Sequence, residues 1–263
     1  MKANPIKSVL AWPRQSFILT VFWLIFSTQP VIAAKSQMIE LSAFNYPPFY
    51  FKEEGRIQGI AVDIINEVFQ RLELNHRLNM YPLKRALRYL EHGDMDGMMI
   101  LIKTPEREKY LQYTDPVTSV RGLIWSSAAR DGGAVEFDRF DDLLDYRIGV
   151  TRGYSYGKSF DAFLKKHSQI HVVNTDLQNY KMLIAGRVDI FPGNEIVAKG
   201  LFRKHPELRG RLVHARKSFI RWVLHMGISR QSEFTAIVPN INQQLAKLKA
   251  NGFIDRTIKK YTD

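Results

Sequence analysis

The chain has 263 residues, seven histidines and no cysteine, so disulfides and thiolate chemistry are excluded and packing alone must hold the fold. Its net charge is +12 with the cations scattered, a field that suits an anionic solute or membrane surface and offers no nucleic-acid stripe. Lys2, Lys7 and Arg14 precede an apolar run at residues 17–26, FILTVFWLIF, and Val31-Ile32-Ala33 supplies small residues for cleavage after Ala33 or Ala34. This is the pattern of a cleaved export signal, expected over residues 1–34. The run is shorter than the roughly 20 residues a membrane span needs; an uncleaved anchor is the alternative, and a lipid anchor lacks its cysteine. Beyond the leader the charge is +9 and about 230 residues remain, enough for one large domain or two small lobes.

Residues 39–44 alternate as a strand and run into Asn45-Tyr46-Pro47-Pro48-Phe49, where two prolines stop regular structure. Gly55 and Gly59 bracket a turn. Apolar residues at helical spacing cover 60–72, with Asp63 as a helix-terminal charge. A strand is expected at 77–80. Pro82 opens a second helix that ends at Gly93. Lys84 and Arg85 lie in its first turn, where cations fit the helix dipole poorly; they either face an anion or are solvated. The apolar stretch 98–102 reads as a buried strand, followed by Lys103-Thr104-Pro105-Glu106 and Arg107. A guanidinium there matches a carboxylate with two parallel hydrogen bonds, or it pairs with Glu106 or Glu108 on a solvated loop.

A strand–helix–strand–helix–strand order repeats downstream. After Pro116, residues 120–125 form an extended crossing. A short helix is expected at 140–144, a strand at 147–150, a helix at 158–166, a strand at 170–173, and a helix capped by Asp176 that runs to Ala185. Gly186-Arg187-Val188-Asp189-Ile190-Phe191 then turns into another strand. Residues 222–228 read as a strand returning to the first half. The tail, 234–261, is helical with a break at Asn251-Gly252.

The segment Gly93/Asp96, an apolar strand, Thr104/Arg107, Tyr113, Thr114 and Pro116 resembles family 3 of the periplasmic solute-binding proteins, the two-lobed receptors of amino-acid uptake systems. The Tyr46-Pro47-Pro48-Phe49 loop, the Gly186-Arg187-Val188-Asp189 strand and the C-terminal helices resemble the family as well. The resemblance implies an α/β, two-lobed, periplasmic-binding-protein-like fold (type II) with two hinge crossings and an interlobe cleft. Lobe 1 would comprise 35–120 and 220–263, and lobe 2 would comprise 121–219. It also implies that Arg107 holds a ligand carboxylate and that Tyr46 and Phe49 wall the cleft, with Tyr154 and Ile102 beside them. The family's ammonium-binding Asp falls here on Asn194, with Glu195 next to it. An amide cannot supply the charge a buried ammonium needs, so either Glu195 takes over or the ligand lacks an ammonium. Met99-Ile100-Leu101-Ile102 also stands where amino-acid receptors tend to place Ser or Thr.

Gly153-Tyr154-Ser155-Tyr156-Gly157 admits three readings. Ser155 and free backbone N–H groups at a helix start would receive a carboxylate; Ser155 would be a hydrolase nucleophile with Asp189 and His214 or His225; or it would cap a helix. His167 and His171 are four apart, but a helix end falls between them. Neither a metal set nor a phosphate loop of the G-x-x-x-x-G-K type is present, so no cofactor is expected. The sequence therefore predicts a monomeric, periplasmic binding protein for a small carboxylate solute that docks on an importer's permease. The alternatives are a sensor module, or an enzyme on the same scaffold: a cyclic-acid lyase or a serine hydrolase.

Overall fold

The computed structural model describes Met1 and residues 38–263; the expected leader lies outside them apart from Met1. In chain order the elements are β1 (Ile39–Ala43), β2 (Phe51–Glu53), β3 (Arg56–Gln58), α1 (Ile60–Arg71), β4 (His76–Met80), α2 (Leu83–His92), β5 (Gly97–Leu101), α3 (Pro105–Glu108), β6 (Leu111–Tyr113) and β7 (Thr118–Ser127). There follow β8 (Ile148–Thr151), α4 (Lys158–Lys166), β9 (Ile170–Val173), α5 (Asp176–Ile184), β10 (Phe191–Asn194), α6 (Glu195–Lys204), β11 (Leu212–Ser229), α7 (Val238–Ala250) and α8 (Phe253–Thr262). Short 3-10 turns occupy Phe140–Leu143, Pro206–Leu208 and Glu233–Ile237.

The main sheet has the order β10-β7-β11-β5-β1-β4, with β6 also on β11. In the first half β1 lies between β4 and β5, parallel to both. All five β5 residues are buried, which explains why this strand reads as a continuous apolar run rather than an alternating one. Helix α1 turns Ile60, Ile64, Ile65, Val68 and Phe69 onto the core. In the second half β8 pairs β9 in parallel, and Ile148 also bridges Ile190.

The two halves share β7 and β11. The 18 residues of β11 pair β7 from Leu212 to Leu224, then pass to β5 and β6 from His225 onward. This strand starts ten residues before the expected 222, because its pairing with β7 continues through the second half. One apolar cluster includes Leu41, Phe49 and Ile64 of the first half and Trp125, Tyr180 and Phe191 of the second. Gly59 has φ +134, and a Cβ there would sit 2.4 Å from the Phe49 carbonyl oxygen. Glycine therefore lets α1 begin directly against the Tyr46–Tyr50 loop.

Several local expectations are corrected. The turn at Gly55 joins a hairpin, β2–β3, since Phe51 is buried while Lys52 and Glu53 face solvent. The residues after Thr104 form α3, because Thr104 Oγ1 accepts from Arg107 N at 3.3 Å and Pro105 opens the turn. Helix α5 is capped by Thr175, not by Asp176. Thr175 Oγ1 accepts from Gln178 N, and Gln178 Oε1 accepts from Thr175 N in return, which is a capping box that leaves the Asp176 carboxylate free of capping.

Phe49, expected to wall a cleft, is fully buried and stacks beneath the Tyr46 ring at 5.4 Å between centroids. It is core. Phe49→Ala should cost on the order of 3–5 kcal/mol in urea unfolding; a loss well under about 1 kcal/mol would show that the ring is not a packed core residue.

Candidate functional site

The halves meet around a cleft with a cavity volume of about 80 Å³. The first half contributes Phe44 and Tyr46 after β1, Leu83 of α2, residues 100–102 at the end of β5, and Arg107. From the second half come residues 153–156, Asp176, Pro192 and Asn194, while Trp222 and Leu224 of β11 lie along the crossing. The halves also touch: Asn194 Nδ2 donates to Tyr46 Oη at 3.1 Å, and the rings of Tyr46 and Tyr154 meet edge to face at 5.5 Å.

Arg107 is positioned by α3. Its Nη1 donates to the Ile102 carbonyl at 3.3 Å, and Tyr113 Oη donates to the same oxygen at 3.2 Å. Among the described residues it forms no ion pair, so the alternative of pairing with Glu106 or Glu108 on a solvated loop does not hold. Beside it Ile100 has φ +65, a left-handed conformation that costs a β-branched residue on the order of 1–3 kcal/mol. The cause is a bulge: between the pairs His225↔Leu101 and Gly227↔Met98, two β5 residues oppose the single Met226.

The turn at 153–157 differs from its expected form. Ser155 Oγ donates to Asp161 Oδ2 at 2.6 Å, Tyr156 N donates to Asp161 Oδ1 at 2.8 Å, and Gly157 N donates to Ser155 Oγ at 3.3 Å. The N–H groups expected to be free for a ligand at Tyr156 and Gly157 are thus engaged within the chain. Asp161 reaches them from the first turn of α4, whose start carries no side-chain cap. Ser155 and Tyr154 still line the cleft. The serine-hydrolase arrangement is not assembled: Asp189 is bound to Arg147, His214 Nδ1 meets the Ala215 carbonyl and His225 Nδ1 the Thr114 carbonyl.

Asn194 lines the cleft with both ends of its amide committed. Its oxygen accepts from Ile196 N at 2.8 Å and Val197 N at 3.3 Å, capping α6, and its nitrogen reaches Tyr46. Glu195 does not take over the missing charge. It points away from the cleft lining to a two-bonded pair with Arg121 at 2.8 and 2.9 Å, which holds its carboxyl below the usual range, and to Lys199 at 3.4 Å. Arg85 is exposed on α2 and does not line the cleft, so its first-turn charge is solvated. Among the described residues no group of three or more His, Asp or Glu side chains could hold a metal ion.

Sequence reasoning missed Asp176. It lines the cleft, is 7 % exposed, and accepts from Thr151 Oγ1 at 2.6 Å. Burial raises its carboxyl from 3.8 to about 6, and the Thr151 bond opposes the rise. Burial also raises the phenols of Tyr46, Tyr154, Tyr156 and Tyr180 well above their ordinary value, with the charge of Asp176 adding to each. A residue just after a Thr cap reads as a helix-start acid; only the fold turns it into the cleft.

A model of the bacterial extracellular solute-binding proteins, family 3, matches residues 41–263. The chain belongs to that family. The histidine-binding periplasmic protein of Escherichia coli (strain K12) is 24% identical over 231 residues, covering 83% of this chain and 85% of that protein. Among solved structures, the arginine-, lysine-, histidine-binding protein ArtJ of Geobacillus stearothermophilus aligns with a TM-score of 0.70 at 20% identity, over 86% of this chain and 95% of that one. A histidine kinase sensor domain with similarity to periplasmic binding proteins aligns at 0.71 with 16% identity, over 86% and 96%. The two-lobed fold of family 3 solute-binding proteins is therefore the fold of this chain. Among its described residues no helix is long and apolar enough to cross a membrane.

Asp176 gives a stability prediction. The folded carboxyl keeps its proton to higher pH than the unfolded one, so this group's contribution is most favourable below about pH 4 and worsens as pH rises to about 6. A rise from 3.8 to about 6 corresponds to on the order of 3 kcal/mol. Asp176→Asn keeps an acceptor for Thr151 and removes the charge. In urea unfolding without ligand it should be more stable than wild type by about 1–3 kcal/mol above about pH 7, with the gap closing towards about pH 4. A gap that does not change with pH would disprove this account.

Proposed function

We propose that this family 3 protein is an exported receptor that captures a small carboxylate-bearing solute between its lobes and presents the closed form to the permease of an ABC-type importer. The observation that supports it most is the Arg107 guanidinium: carried on the short helix α3 that follows the buried strand β5, lining the cleft, and without an ion-pair partner among the described residues. A carboxylate seated there would gain charge-assisted, two-bonded contact at a site already shaped for it. Tyr46 and Tyr154, meeting edge to face from opposite halves, would cover the apolar part of the solute.

In this reading lobe 1 is 35–120 with 220–263, lobe 2 is 121–219, and bending at β7 and β11 opens and closes the cleft. Ligand bridging the two would favour the closed form by its differential affinity. Ser155 would contribute through its cleft-facing surface rather than through the amides now held by Asp161. The relatives named for histidine and arginine make amino acids the first solutes to try. The protein would act as a monomer in the periplasm after removal of residues 1–34.

The test is a thermal-shift screen with amino acids and plain organic acids, followed by isothermal titration of each hit. Trp222 lines the cleft, so its emission should change on binding. Arg107→Ala should leave the unliganded melting transition in place and weaken the best hit by on the order of 10²-fold or more. Unchanged affinity would refute the carboxylate role of Arg107.

A further inference from the structure

The cleft has more hydrogen-bond donors to offer than acceptors. Trp222 lines it, and the indole N–H of that residue is shut away from water without an acceptor among the described residues. Tyr46 Oη accepts from Asn194 Nδ2, while its own hydrogen finds no acceptor among the described residues. Arg107 gives one N–H to the Ile102 carbonyl and keeps its other N–H groups. The acceptors are largely spent. Asn194 Oδ1 takes Ile196 N and Val197 N, Ser155 Oγ takes Gly157 N, and the Ile102 carbonyl takes both Arg107 and Tyr113. Asp176 is the only acid in the lining. It already holds the Thr151 hydroxyl, and burial pushes its carboxyl towards the protonated form, in which it becomes a donor as well.

A buried donor without an acceptor forfeits the hydration it had in water, so this surplus is a requirement placed on the solute. An ammonium does not meet it. It brings N–H groups and no acceptor, and the indole and phenol hydrogens would stay unanswered beside it. A carbonyl oxygen does meet it, because it accepts two hydrogen bonds and brings no hydrogen of its own. Phe44, Leu83, Leu101 and Leu224 make much of the remaining lining apolar, which suits a hydrocarbon chain. Resting on the carboxylate role of Arg107, we propose that the solute is an α-oxo acid with an uncharged apolar chain, whose oxo oxygen is received by the Trp222 indole N–H and the Tyr46 hydroxyl. Trp222 and Tyr46 are then the residues that set specificity, and they select for oxygen where an amino acid carries nitrogen.

The experiment is isothermal titration of the full mature protein with two series. One is α-ketoisocaproate, L-leucine and isocaproate; the other is pyruvate, L-alanine and propionate, the same comparison with a shorter chain. Within each series the molecules differ only at the carbon next to the carboxylate. In at least one series the oxo acid should bind about 10-fold or more tightly than both the amino acid and the plain acid. Trp222→Phe keeps an aromatic ring and removes the N–H, and it should weaken the oxo acid by about 5-fold or more. Adding Tyr46→Phe should bring the oxo acid down to the level of the plain acid. Three results overturn the assignment: the amino acid or the plain acid binding as tightly as the oxo acid in both series, a preference for the oxo acid that survives the double variant, or no binding by either oxo acid. Failure of the carboxylate reading looks different. Methyl isobutyl ketone, which keeps the oxo group and lacks the carboxylate, would match α-ketoisocaproate and Arg107→Ala would be silent, while Trp222→Phe still weakened binding.

Discussion

The antiparallel pairing of β7 with β11 is the constraint from which the site follows. Each strand belongs to both halves, so their register fixes how one wall of the cleft faces the other. β11 runs on from β7 to β5 and β6, and the change of partner falls at His225. Two β5 residues then oppose one β11 residue, and that extra residue throws Ile100 into a left-handed conformation beside Arg107. Strain at the mouth of the cleft is thus a consequence of how two sheets are made to share one strand. It is tolerated because β5 is buried along its whole length and cannot relax without unpairing from β1 and β11.

Three acids near the second-half wall show how position decides what a carboxylate does. Asp161 accepts from Ser155 Oγ and Tyr156 N, and so satisfies donors that a helix start would otherwise hold out to a ligand. Glu195 is held by Arg121 on the shared strand β7, and belongs to the joint between the halves rather than to the cleft. Asp176 has a hydroxyl for company and no cation. Similar groups therefore serve as an internal anion, a structural ion pair and an uncompensated charge.

Much of this architecture was legible in the sequence. The 3.6-residue spacing of Ile60, Ile64, Ile65 and Val68, the glycine stop at Gly93 and the repeated strand–helix order each act locally, through burial of one face or a left-handed cap, and local rules read them. The cleft-lining position of Arg107 was expected from the resemblance of its segment to the family, whereas the short helix that carries it, built by the Thr104 cap and Pro105, was not read from the sequence. Phe49, Glu195, Arg85 and Asp176 were not legible, because the destination of each depends on a partner distant in sequence or on which face of a helix the fold turns inward. Glu195 lies 74 residues from the arginine that takes it, and Thr151 stands 25 residues before Asp176. No spacing rule reaches that far, and a helix-start acid looks the same whether it meets water or a cleft.

The contacts that hold the two halves together set how much a ligand must do. Besides the Asn194–Tyr46 hydrogen bond and the Tyr46–Tyr154 ring contact, Lys204 meets Glu53 at 3.3 Å and lies over the Phe51 ring at 3.8 Å, and Arg203 donates to the Lys260 carbonyl at 2.8 Å. Gly200 packs against the Pro48 ring so closely that a Cβ would fall 2.7 Å from it. Each of these polar contacts is worth on the order of 1 kcal/mol or less at a partly solvated surface. Against them stands the burial of Asp176, whose carboxyl has a hydrogen bond from Thr151 and no cation partner among the described residues.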